Sequence, residues 1–464
     1  MSAMTGKSAL FLTFSLAAAL QSLAQVKSFS AAEAVQYALQ NNPAVRNARL
    51  DTDIAAAKVR ETIGFGLPQI SGSATILHYP EIQRFVLENT PGTPFFISPD
   101  AFEGAPAVNA PIAFGLALEN SLTGNIQASQ LLFNGNYLVG LKASKTYQDL
   151  SAKQLKQART TVAEQVSKTY YSILVNSEKS RLLDLNLSRL DSTFREIKLL
   201  FKNGFAEQID VDRLEVALNN LKAEKQKTAR LLQLAQYGLK LQMGMPVGDS
   251  LILSGKLDEV NPESLQAFGG TVDYSRRIEY STLQTQKALG MLDLKNVQAG
   301  YYPTIAAIAT LGVNSAASRF SNLANFTEKN RYAPYSFFGV NLSVPVFDGL
   351  QKKNKAEQSR INLQKIDNGM KQLENVIDFE VRQANINLAN AFENYGIQKR
   401  NLKLAEEVVR VSKIKYKQGV GSNLEVTNAE ASLKESQTNY YTALYDFIIA
   451  KIDLDKAQGQ LLKD

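Results

Sequence analysis

A stretch of twenty residues, Ile414 to Leu433, occurs twice in this chain, and that constrains the fold more than any other feature. The second copy, Leu199 to Leu218, matches it at a single offset. Tyr416 falls on Phe201, Gly419 on Gly204, Glu425 on Asp210, Val426 on Val211, Glu430 on Glu215 and Leu433 on Leu218. Aromatic, glycine, acid and leucine repeating together mark an internal duplication. The period is far longer than a solenoid repeat, so the chain is built from two large halves. In each copy a glycine-containing turn joins two long helical patterns.

Taken in order, Ser30-Ala31-Ala32-Glu33 has the form of a capping box and opens a helix to about Asn41. Asn42-Pro43 interrupts it, and an alanine-rich helix resumes at Ala44 and stops at Gly64-Phe65-Gly66-Leu67-Pro68. The period then becomes two. Ile70, Gly72, Ala74 and Ile76 alternate with Ser71, Ser73 and Thr75, a strand with one apolar and one polar face. Leu77 to Glu119 holds Pro80, Pro91, Pro94, Pro99, Pro106 and Pro111, which predicts a long irregular surface loop. Alternation returns over Leu122 to Gln130 and ends at Phe133-Asn134-Gly135. From there to Lys202 there is no proline. That is about 67 residues, roughly 100 Å of continuous helix. Leu183, Leu187, Leu190, Phe194, Ile197 and Phe201 recur along it as a coiled-coil seam. The partner helix runs from Gln208 to Met243 and closes at Gly244 and Pro246.

The second half repeats the plan. A helix over about Asp273 to Val297 stops at Gly300-Tyr301-Tyr302-Pro303, and a strand follows over Ile305 to Val313, with Ile308 breaking its polar face. A polar loop to about Tyr335 leads to the clearest strand, Val340 to Val346, closed by Phe347-Asp348-Gly349. A helix of about 65 residues then runs to Lys417, followed by the turn and a last helix to about Leu461.

The N-terminus reads as a secretory signal over residues 1–24: Lys7, an apolar run from Ala9 to Leu20, and the small residues Ser22 and Ala24 before Gln25. The run is too short for a spanning helix, which needs roughly 20 apolar residues. There is no cysteine, which excludes disulfides and a lipid-anchor cysteine. The net charge of +7 is dispersed among mixed-sign helices, without the basic stripe a nucleic-acid binder carries. Reaction chemistry is missing as well. The single histidine, His78, has no partners for a triad or metal site, and no nucleophile elbow or phosphate loop occurs. No enzyme, metal or cofactor is expected.

The strand-to-helix exit Ser-Val-Pro-Val-Phe-Asp-Gly at 343–349, the two Phe/Tyr-x-x-Gly turns and the twofold repeat together resemble the outer-membrane efflux protein family, the TolC-like exit ducts of Gram-negative bacteria. The resemblance spans the mature chain. It implies a mainly α fold with a membrane β part: long coiled-coil hairpins forming an α-helical barrel, plus four strands per protomer contributing to a trimeric twelve-stranded β-barrel. Four strands alone leave open edges that lipid does not tolerate, so a homotrimer is expected. Strands of about ten residues match a tilted span. Tyr301, Tyr302, Phe65, Phe133 and Phe347 sit where an aromatic girdle would lie. The expected organisation is a signal (1–24), a first repeat (25–245), a bridging segment (246–271) and a second repeat (272–464). The implied function is the outer-membrane exit duct of a tripartite efflux pump, with a long periplasmic portion. Its partners are a periplasmic adaptor, an inner-membrane pump and outer-membrane lipid, with no nucleic acid. A duct for type I protein secretion is the alternative within transport, and a non-conducting periplasmic coiled coil the alternative outside it.

In the family the two turns form the periplasmic tip. Adaptor docking is therefore expected at Lys202, Asn203, Gly204 and Phe205 and at Lys417, Gln418, Gly419 and Val420. Asp210, Tyr416, Glu425 and Asn428 are the candidates for a gate or constriction. Glu425 matches an acidic ring position, and three symmetry-related carboxylates can select cations. The bland reading of Asp210 and Glu425 is interaction with helix N-terminal dipoles. The family's gate arginines fall on Gly421 and Leu444, and the second ring acid falls on Asn428. Any closing network must use other residues, with Asp212, Arg213 and Lys417 as candidates.

Overall fold

The computed structural model describes residues 27–115, 117–255, 257, 272–325 and 331–462. The expected signal, residues 1–24, lies outside them, as do residues 256 and 258–271 of the expected bridge. Seven helices and eight strands are described in this order: β1 (Lys27–Phe29), α1 (Ala31–Asn41), α2 (Pro43–Gly64), β2 (Gln69–His78), β3 (Arg84–Glu88), β4 (Pro111–Gly115), β5 (Asn120–Phe133), α3 (Gly135–Lys202), α4 (Gln208–Met243), β6 (Leu251–Leu253), α5 (Ile278–Ala299), β7 (Thr304–Ala317), β8 (Tyr332–Ser343), α6 (Gln351–Lys417) and α7 (Asn423–Ala457). The duplicated plan of helix, strand pair, long helix, turn and long helix is therefore present in both halves.

Local chemistry accounts for the boundaries. The Ser30 hydroxyl accepts from Glu33 N (3.3 Å) and Ser30 N donates to the Glu33 carboxylate (2.8 Å), so the capping box at α1 is complete. Asn42 is extended, as a residue before proline prefers, and Pro43 opens α2 at the position where its missing N–H costs nothing. Gly244 closes α4 in the left-handed conformation.

Four boundaries differ from the sequence expectation. The proline-rich loop between β2 and β5 contains a short antiparallel hairpin, β3–β4, pairing Arg84 with Gly115 and Glu88 with Pro111. Pro111 is tolerated because it is the first residue of an edge strand. The hub of this loop is Asn89, whose side-chain amide donates to Ile97 O (2.8 Å) and Pro106 O (2.9 Å) and accepts from Ile97 N (2.8 Å). β8 begins at Tyr332, within the expected loop, and ends at Ser343, before Pro345, which lacks a donor for the ladder. α5 starts at Ile278, because Asp273 caps a separate 3₁₀ turn over Tyr274–Arg276. α7 ends at Ala457, where Gly459 turns left-handed at φ 69°.

The chain divides into two compact units. One comprises Thr146–Ala288, Leu363 onward and the described residues up to Ala55; the other is Ala56–Lys145 with Leu289–Asn362. The first holds the main hydrophobic core, including Val166, Tyr170, Leu239, Met243, Ile377, Phe447 and Leu454. At its edge β1 and β6 pair in parallel. The buried Tyr170 hydroxyl donates to Phe29 O (3.0 Å) and accepts from Gly255 N (3.1 Å), fixing that pair to α3. The second unit holds a four-stranded antiparallel sheet in the order β2-β5-β7-β8.

Candidate functional site

The sheet has two chemically distinct faces. One row runs Ile70, Ala128, Ala309, Phe338 and the next Gly72, Ile126, Leu311, Ser336. The opposite face carries Ser71, Gln127, Thr310, Phe337 and then Ser73, Asn125, Gly312, Tyr335. A Cβ at Gly312 would lie 2.4 Å from Cζ of Tyr335, so glycine is required for that ring to lie flat on the polar face. The four strands contain no Asp, Glu, Lys or Arg. Among the described residues β2 pairs only with β5 and β8 only with β7, leaving ladders of ten and twelve residues open at the two edges. None of the described helices is long and apolar enough to cross a membrane.

Both strand-to-helix exits are built alike. Asn134 Oδ1 accepts from Tyr137 N (2.8 Å) at α3, and Asp348 Oδ2 accepts from Lys352 N (3.1 Å) at α6. The repeated Phe-Asn/Asp-Gly motif is thus a helix cap following a strand. Phe133, Tyr301, Tyr302, Phe65 and Phe347 gather at this end of the sheet and all are exposed. At the other end His78 Nδ1 lies 2.8 Å from Asn120 Oδ1, and Asn120 Nδ2 donates to Ala317 O (3.2 Å). His78 therefore has a structural partner.

In the helical unit the two tips share one geometry. Gly204 N donates to Phe201 O (3.0 Å) and Phe205 N to Leu200 O (2.8 Å); Gly419 N donates to Tyr416 O (3.0 Å) and Val420 N to Lys415 O (3.0 Å). This is the Schellman arrangement, and it places Gly204 at φ 78° and Gly419 at φ 76°. Lys202, Asn203, Phe205, Lys417, Gln418 and Val420 are all exposed around these turns. The helices leaving the tips differ. Ser422 caps α7 by accepting from Glu425 N (3.2 Å), whereas Glu207 at the start of α4 makes no side-chain cap.

Of the four gate candidates, two are brought together. Tyr416, from the second hairpin, packs on the Ile197–Val211–Leu214 cluster of the first. Burial raises its pKa, and the carboxylates of Glu196 and Asp210 raise it further. Glu425 and Asn428 stand exposed on α7. Asp212 accepts from Gln208 on its own helix (2.6 Å), and Arg213 lies 4.0 Å from Asp210, also on its own helix. Lys417 is exposed in the last turn of α6.

A further group was not singled out from the sequence. Glu430 accepts from Lys413 of α6 (2.5 Å) and faces Arg189 of α3 (3.7 Å). Arg189 donates to Asn186 (3.0 Å), whose amide donates to Gln437 of α7 (3.2 Å). Together these residues stitch α3 to α7 beside a cavity of about 260 Å³ lined by Leu190, Leu214, Leu221 and Val426. The match of Glu430 to Glu215 was visible in the repeat. Its partner Arg189 was not, because it comes from the other half of the chain.

Comparison with known proteins adds the following. Residues 293–460 match the family model described as outer membrane efflux protein. The Nodulation protein T of Rhizobium leguminosarum bv. trifolii is 22% identical over 349 residues, covering 71% of this chain and 69% of the relative. Among solved structures, CusC shares the fold with a TM-score of 0.72 at 16% identity, over 94% of this chain and 95% of that one. The outer membrane protein VceC of Vibrio cholerae does so with a TM-score of 0.67 at 14% identity, over 92% and 96%.

Proposed function

Taking the match to the outer membrane efflux protein family as premise, we propose that this protein is the outer-membrane exit duct of a tripartite efflux pump. Three copies join β8 of one sheet to β2 of the next and close a twelve-stranded barrel. Residues 25–245 and 272–464 act as the two repeats, each giving two strands and one helical hairpin. The observation that carries the reading is the two-faced sheet with both edges open. Ladders of ten and twelve residues are untenable in lipid unless another strand completes them. The face bearing Ile126, Leu311 and Phe338 suits acyl chains, and the face bearing Ser71, Ser73, Asn125, Gln127 and Thr310, with Phe337 and Tyr335 among them, suits water.

In this reading the helical portion stands in the periplasm. The adaptor of an inner-membrane pump docks on Lys202–Phe205 and Lys417–Val420, while Asp210, Tyr416, Glu425 and Asn428 line the constriction. Transport is passive, and the pump supplies both the energy and the choice of substrate. The test is single-channel conductance in a planar bilayer, with mass measured in detergent. A trimer giving stable openings supports the duct. A monomer that never inserts removes it.

A further inference from the structure

The cavity where α3, α4 and α7 meet has a chemistry that conduction does not use. Each helix brings a small side chain to its lining, Thr193 on α3, Ala217 on α4 and Ala431 on α7, and this leaves the space. Toward the tip, α3 and α4 meet instead through the buried Ile197 and Val211. Leu214, Leu221 and Val426 are buried and give the cavity apolar walls, so water gains few partners along them. The charged lining is unevenly satisfied. Arg189 donates to Asn186 (3.0 Å) and stands 3.7 Å from Glu430, beyond hydrogen-bonding distance. Glu430 takes its bond from Lys413 (2.5 Å), and Lys434 is paired with Glu224. Among the described groups that line the cavity and their ion-pair partners, the cations Arg189, Lys413 and Lys434 therefore face only two carboxylates, Glu430 and Glu224. The surplus is one positive charge. It falls to Arg189, whose guanidinium carries more donors than its bond to Asn186 uses.

We propose that this cavity binds a small organic monoanion, a compact apolar body ending in one carboxylate or sulfonate, with the acid group on Arg189 and the body against Leu214, Leu221 and Val426. Charge sets the class of ligand. A cation would meet the surplus positive charge, and a neutral molecule would gain nothing from the guanidinium, whose planar fork matches a carboxylate or sulfonate. Size narrows it further. The volume of about 260 Å³ lies just below the usual range of ligand cavities, about 300–1,000 Å³, which suits a fused-ring or short-chain acid and excludes a two-chain lipid. The cavity lies within one chain, so the inference goes beyond the duct reading and does not depend on it. A bound anion bridges helices from both halves of the repeat, and by mass action it stabilises the helical unit that holds it.

The test titrates naphthalene-1-sulfonate into the full-length protein in amphipol, read by fluorescence anisotropy. The chain has no tryptophan, so the probe is seen without an indole background. Saturable binding of one probe per chain is expected, weakening as salt rises. Arg189→Gln should lower the affinity about tenfold or more, because a charge-assisted hydrogen bond is lost, and Arg189→Lys should restore part of it. Neutral 1-naphthalenemethanol should bind wild type and Arg189→Gln alike. Ala217→Phe fills the space and should abolish saturable binding; circular dichroism reports whether that variant folds, and if it does not, Arg189→Gln decides alone. The site is overturned by an absence of saturable binding to wild type, by an unchanged affinity in Arg189→Gln, or by binding that survives in folded Ala217→Phe. A protein that binds the probe as expected but never inserts as a trimer refutes the duct and leaves the site standing.

Discussion

Ile126 and Gln127 are neighbours at the middle of β5 and point to opposite faces of the sheet. Replacing each by lysine tests which face meets lipid. Ile126 is 59% exposed in a single chain, and its cross-strand neighbours are Gly72 and Leu311, so no acid lies beside it in the register to pair with a new ammonium. A lysine on the lipid face at the bilayer midplane costs about 2–4 kcal/mol. That is roughly a 30- to 900-fold shift in the folding equilibrium per chain, and about 6–12 kcal/mol over three chains if the sites act independently. Gln127→Lys places the same charge among Ser71, Thr310 and water, where the cost is close to zero. The assay is urea-driven unfolding from lipid vesicles, read by tryptic protection of the strands. The reasoning fails if the two variants unfold at the same urea concentration, or if Gln127→Lys is the more damaging. Either result would mean that the apolar face does not contact acyl chains.

Three further outcomes are expected. Gly419→Ala forces an L residue into φ 76°, at a cost of about 1–2 kcal/mol, and should speed hydrogen exchange at the second tip while leaving the first unchanged. Arg277→Met removes a buried guanidinium that donates to Glu380 (2.8 Å), to Glu279 (3.1 Å) and to the last carbonyl of α7 at Ala457 (3.2 Å). A loss of about 1–3 kcal/mol in thermal unfolding of the helical unit is expected, because the charge-assisted hydrogen bonds to two partly exposed carboxylates and the α7 carbonyl are lost. Tyr416 has its pKa raised by burial and then by Glu196 and Asp210, so its neutral form is the one the fold favours. Its contribution is complete below the ordinary tyrosine range and is lost as pH rises through the higher folded value, so wild type should lose tip protection in alkali before Tyr416→Phe does.

The parts of the fold that could be read in the sequence are those where one residue reports its own surroundings. Alternation placed β2, β5 and β7, because each side chain in a sheet meets one face only, but it caught only the last residues of β8, which begins at Tyr332 inside the expected loop. Serine and glutamate three apart marked the start of α1, and the repeated glycines marked both tips. The β3–β4 hairpin was hidden because its prolines argued against strands, while Asn89 holds the loop through backbone carbonyls that no side-chain pattern reveals. Likewise, Arg189 and Glu430 meet only once the two halves pack, so the acid could be aligned but its partner could not.

The absence of ionisable residues from the four strands also governs how current would pass through the proposed barrel. A pore with fixed charge on its wall keeps a cloud of mobile counterions, and its conductance levels off in dilute electrolyte. A wall of uncharged side chains holds no such cloud. Through this segment, conductance should fall in proportion to bulk electrolyte down to millimolar salt. Any plateau, and any preference for one ion over another, would then originate in the charged helices or in the loops that carry Arg84, Glu88, Arg319 and Arg331.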